Sequence, residues 1–117
     1  MKLNSISGVT HHVKNLEASA AFYESLGFRI GKRETDQVTC YVNWFWINLV
    51  PDAGSAPADK GAGTSVHVKV DDLEEFLQGV VGLGLKPETE PSSPSKGIRQ
   101  FELADPDGYT LVFFEKK

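Results

Sequence analysis

The strongest constraint on this chain is that it repeats itself. Gly8-Val9-Thr10-His11-His12-Val13-Lys14-Asn15-Leu16-Glu17 lines up with Ser65-Val66-His67-Val68-Lys69-Val70-Asp71-Asp72-Leu73-Glu74 at an offset of 57. The same offset carries Leu26-Gly27-Phe28-Arg29 onto Leu83-Gly84-Leu85-Lys86, with no gap between the two matches. A register kept across about twenty otherwise unlike residues marks two copies of one supersecondary unit. The fold must therefore be assembled from a duplicated module.

Each copy opens with alternation. Val9, His11 and Val13 point one way in the first, and Val66, Val68 and Val70 do so in the second. That period of two predicts a strand with one face on a core. A helix start follows in both. Asp72 is a good N-cap, with Glu75 three residues on to complete a capping box, and Asn15 can cap the first helix. Leu73, Phe76, Leu77, Val80 and Val81 then recur at helical spacing, as do Leu16, Ser19, Ala20, Phe22, Tyr23 and Leu26. Gly27 and Gly84 stand where a left-handed residue would end each helix.

Strand signals come next. Copy one offers 28–34, 37–42 and 44–50; copy two offers a short strand at 85–89, then 97–104 and 109–115. Asp105-Pro106-Asp107-Gly108 joins the last two as a tight turn. The unit is thus βαβββ, and the fold class is α+β. A single domain is expected, with module one at 1–50, a Pro-, Gly- and Ala-rich linker at 51–63 and module two at 64–117. The closing strands match at an offset of 64, Asn48 to Val112, so the second copy is seven residues longer.

The 117 residues suffice for one real core. No apolar run approaches the ~18 residues of a membrane span, and residues 1–5 lead into no apolar signal segment. A cytoplasmic protein is expected. With net charge −4 and no Lys/Arg cluster, nucleic acid is a poor partner. Cys40, the single cysteine, excludes an internal disulfide framework and CxxC chemistry, and reads as a structural thiol. The partner that remains is a small molecule.

The valine faces are accounted for by the helices, so the opposite faces are the informative ones. They carry Gly8, Thr10 and His12, and in the repeat Ser65, His67 and Lys69. The closing strands add Trp44, Trp46 and Asn48, then Thr110, Val112 and Phe114. Aromatics with a few polar groups are the usual lining of a small-molecule pocket; a second core or a dimer contact is the alternative. Adjacent strand residues face opposite sides, so His11 and His12 cannot chelate one ion together. His11 is expected in the core with its ring hydrogen-bonded. The turn residues Asp105 and Asp107 and the tail Glu115-Lys116-Lys117 read as structural and solvated, respectively.

The repeated Val-x-Asn/Asp-Leu-Glu opening, Phe22-Tyr23-x-x-Leu-Gly27-Phe28, and Asp105-Pro106-Asp107-Gly108-Tyr109 together resemble the vicinal oxygen chelate superfamily. This group includes glyoxalase I, extradiol dioxygenases, and the fosfomycin- and bleomycin-resistance proteins. The resemblance covers almost the whole chain and implies two βαβββ modules whose curved mixed sheets surround a cleft. The run from Arg99 to Pro106 looks most like the bleomycin-resistance type, homodimers that hold an antibiotic without chemistry. Enzymes of the superfamily hold a divalent metal at four points. Carried onto this chain, these fall on Gly8, Ser65, Asn48 and Val112, a set that offers no good ligand.

The expectation is therefore no metal, no other cofactor and no catalytic residue. The resemblance implies instead a homodimer binding an aromatic compound or antibiotic through Thr10, His12, Trp44, Trp46, Asn48, Ser65, His67, Val112 and Phe114. The alternative is a metal-dependent lyase, isomerase or dioxygenase with a displaced site using His12, His67 or Glu102.

Overall fold

Alternation and capping place the elements almost residue by residue. The computed structural model describes residues 1–52 and 63–117. The first copy forms β1 (Gly8–Val13), α1 (Leu16–Ser25), β2 (Arg29–Glu34), β3 (Gln37–Val42) and β4 (Phe45–Pro51). The second forms β5 (Ser65–Lys69), α2 (Leu73–Gly82), β6 (Ile98–Ala104) and β7 (Thr110–Lys116). The described residues fall into two compact units, one on each side of 53–62. Most of the linker expected at 51–63 lies outside the described residues.

The two helices start and stop alike. Asn15 Oδ1 accepts the Ala18 N–H at 3.0 Å, and Asp72 Oδ1 accepts the Glu75 N–H at 3.1 Å. Both caps have φ −133° and ψ 103°. At the far ends Gly27 and Gly84 take φ of 104° and 82°, the left-handed region in which glycine meets no Cβ penalty. The next amides close the ends, Phe28 N–H onto Tyr23 O and Leu85 N–H onto Val80 O.

The architecture is α+β: two modules on the βαβββ plan, the second without the strand that would follow its helix, each with a mixed sheet. Module one has the order β1-β4-β3-β2, with β1 parallel to β4 and the rest antiparallel. Module two has the order β5-β7-β6, with β5 parallel to β7. First and last strands are neighbours in both, which the helical crossover between parallel strands allows.

The core of module one gathers Val13, Ala20, Val38, Cys40, Ile47 and Leu49 around the fully buried Tyr23. Tyr23 meets Phe22 and Phe28 edge-on, with ring centroids 5.3 and 5.1 Å away. His11 lies in this core, its Nδ1 3.4 Å from Tyr23 Oη, as its place on the valine face predicts. Module two packs Phe76, Phe101 and Phe113 together, with Phe76 and Phe113 centroids 4.5 Å apart. Such ring pairs add about 0.5–1.5 kcal/mol beyond their buried area.

Four expectations are corrected. No strand forms at 85–89; the stretch runs beside β6 with separate contacts only, Glu88 N–H to Glu102 O at 2.8 Å, Glu102 N–H to Thr89 Oγ1 at 3.0 Å and a lone bridge between Ser92 and Gln100. Pro87, Pro91 and Pro94 withhold the amides that a continuous ladder needs. Trp44 is not in a strand: Val42 pairs directly with Phe45, so Asn43 (φ 55°) and Trp44 form the hairpin loop. Val81 is 57% exposed rather than part of the buried stripe. Glu115 is not a solvated tail residue. It is buried in β7, where its Oε1 accepts the Leu73 N–H at 2.7 Å.

Candidate functional site

With one face of each sheet given to its helix, ligand chemistry must come from the other. In module one, strand register sets the residues of that face in rows. Gly8 pairs with Trp46, Trp46 with Tyr41 and Tyr41 with Arg29. The next row holds Thr10, Asn48 and Thr39.

Side-chain packing within the first row is specific. A Cβ built on Gly8 would lie 2.2 and 2.3 Å from Cδ2 and Cε3 of Trp46 and 2.4 Å from its carbonyl oxygen. The indole thus occupies the place of a side chain at position 8. A Cβ on Gly31 would likewise meet the Tyr41 ring at 2.3 Å. The two rings lean apart, one toward β1 and the other toward β2. The Arg29 guanidinium stacks over Tyr41, 4.8 Å from its centroid. Beside this row Thr39 Oγ1 donates to Asn48 Oδ1 at 3.2 Å. Trp46 and Asn48 are half-buried, whereas Thr10 and His12 are exposed. Trp44, at the hairpin tip, is 65% exposed and touches Phe45 edge-on at 6.1 Å.

Module two presents a second, more polar face. His67 pairs with Val112 and Val112 with Glu102; Ser65 pairs with Thr110, and Lys69 with Phe114. Ser65 Oγ lies 3.2 Å from His67 Nε2, and the His67 ring meets Phe114 edge-on at 6.4 Å. Val112 is only 4% exposed and offers the least surface of the expected lining residues. Glu102 and His67 flank it two strand spacings apart, roughly 10 Å.

Sequence reading missed two members of the module-one row, Tyr41 and Arg29. The alternation of β3, with Val38 and Cys40 inward, implies Tyr41 outward. Arg29 follows only from the hairpin register.

A family model for the glyoxalase/bleomycin resistance protein/dioxygenase superfamily matches residues 5–113. The chain belongs to that superfamily. Solved structures agree on the fold. A glyoxalase family protein from Bacillus anthracis is 18% identical with a TM-score of 0.82, covering 100% of this chain and 98% of its own. A glyoxalase/bleomycin resistance protein/dioxygenase from Alicyclobacillus acidocaldarius is 16% identical with a TM-score of 0.77, over 97% and 92%. Lactoylglutathione lyase from Agrobacterium tumefaciens is 16% identical with a TM-score of 0.77, over 98% and 96%. No curated protein matches in sequence. Among the described residues no helix is long and apolar enough to cross a membrane.

Membership raises the question of the superfamily's metal, and the residues at its four expected positions do not fit one. Gly8 has no donor, and the space where one would project holds the Trp46 indole. Val112 has no donor and is buried. Ser65 Oγ is engaged with His67, and Asn48 Oδ1 accepts from Thr39. A divalent ion wants several carboxylates or imidazoles converging. Among the described residues no three His, Cys, Asp or Glu side chains group closely enough to hold one.

Cys40 offers no nucleophile either. It is buried, and desolvation pushes its thiol up to about 11, with Arg33 opposing and Glu24 adding to the rise.

Proposed function

We propose that this protein binds a small aromatic compound without a metal, in the manner of the bleomycin-resistance members of its superfamily, and sequesters it as a homodimer. The observation that carries this reading is the Trp46 indole lying in the place of a side chain at position 8. A metal-ligand position has become part of an aromatic surface. Trp46, half-buried, retains surface for a flat ring, and Asn48 and Thr10 on the same face supply polar groups for orientation. Stacking on such a ring adds about 0.5–1.5 kcal/mol beyond the buried area. The dimer draws support from the exposed apolar residues of module one, Leu3, Ile6, Val42 and Trp44.

The test is a screen of aromatic antibiotics and related compounds by intrinsic tryptophan fluorescence, run with a chelator throughout. A ligand should quench emission in chelator, and Trp46→Ala should weaken its binding at least about tenfold while the far-ultraviolet spectrum stays native. Binding that requires metal, or that ignores Trp46→Ala in a folded protein, contradicts the proposal.

A further inference from the structure

Resting on that reading, the first row of module one says more about the ligand. We propose that it is a planar aromatic carboxylate, with its ring against Trp46 and its carboxylate on Arg29. The two residues stand on one face, separated by Tyr41, so their Cα atoms are about two strand spacings, or roughly 10 Å, apart. A fused or substituted ring with one carboxylate spans that distance.

Arg29 is set apart from the other bases of its strand. Lys32 is paired with Glu34 at 3.0 Å and Arg33 with Glu17 at 3.3 Å. Arg29 has no carboxylate partner among the described residues. Its hydrogen bond is a long one, 3.4 Å to the Asn43 carbonyl, and its planar group is held over Tyr41. Most of its five N–H donors are left for a ligand, in a fork that matches a carboxylate. The Tyr41 ring in turn is seated in the space that Gly31 leaves, which fixes where the guanidinium rests.

The surrounding charge points the same way. On the outward face of the strands of module one the one acidic side chain is Glu34, at the far end of β2 from Arg29 and paired with Lys32 at 3.0 Å. The whole chain has net charge −4, yet this face has a local positive end. A cationic ring would meet Arg29 with no carboxylate beside it, since Glu34 is engaged by Lys32.

The experiment is calorimetric titration of the intact protein with three isosteric probes, naphthoate, naphthamide and naphthylmethylammonium, at low salt. Naphthoate should bind about tenfold more tightly than either analogue, as one charge-assisted bidentate contact predicts, and Arg29→Gln should erase that preference while Arg29→Lys keeps part of it. Equal binding of all three, a preference for the ammonium, or a naphthoate preference that survives Arg29→Gln would each overturn the assignment and leave the metal-free aromatic site standing. If none of the three binds, the aromatic site itself fails along with it.

Discussion

At position 8 a missing side chain is the informative feature. Glycine is required there because the Trp46 ring and carbonyl both lie where a Cβ would go. Gly8→Ala should therefore lower stability by about 1–3 kcal/mol through overpacking, and the displaced indole should shift the tryptophan emission. An alanine variant with native stability and emission would mean that the ring does not rest there. Cys40 makes the opposite kind of prediction. With its thiol near 11, about a thousandth of it is thiolate at pH 8, so a chromogenic disulfide reagent should label it only after denaturation. Rapid labelling of the native protein would contradict its burial. The sequence showed which residues faced away from the helix but not how their side chains lay. Alternation assigns a face, whereas the seating of Trp46 on Gly8 and of Arg29 on Tyr41 depends on cross-strand register.

Among the elements, the helices were the most legible because their signals are local. Asn15 and Asp72 cap α1 and α2 with the same backbone geometry. Removing either by Asn15→Ala or Asp72→Ala should cost about 1 kcal/mol in denaturant titrations, and a cost near zero would show that another group satisfies the exposed amides. What the sequence hid is long-range. Glu115 sits 42 residues from Leu73, yet its carboxylate accepts the first amide of α2. That hydrogen bond, more than the neighbouring Lys117, holds the Glu115 carboxyl below the usual carboxylate range. A depressed folded-state pKa contributes stability above the unfolded value and loses it as pH falls through the folded one. Stability should thus decline on acidification below the ordinary carboxylate range, and Glu115→Gln should be less stable at neutral pH with a flatter acid limb. An unchanged acid limb in that variant would remove Glu115 from the account. The strand expected at 85–89 failed for a related reason. The stretch follows α2 as β2 follows α1, but three prolines nearby interrupt the ladder.

For the whole molecule, the duplication was readable because both copies keep the same strand, cap, stripe and glycine in order. The superfamily match over residues 5–113 rests on that same frame. Function was less legible, since it depends on four positions where this chain departs from the enzymes it resembles. Two of those departures, Gly8 and Val112, remove any side-chain donor, and the indole over Gly8 makes the first one physical rather than merely compositional. The most direct measurement is bound metal per chain after incubation with zinc, manganese, nickel, cobalt and iron(II) and desalting. A chain without a metal site should retain less than about a tenth of an equivalent of each. Close to one equivalent of any of them, lost on His67→Ala, would contradict it and turn attention to catalysis.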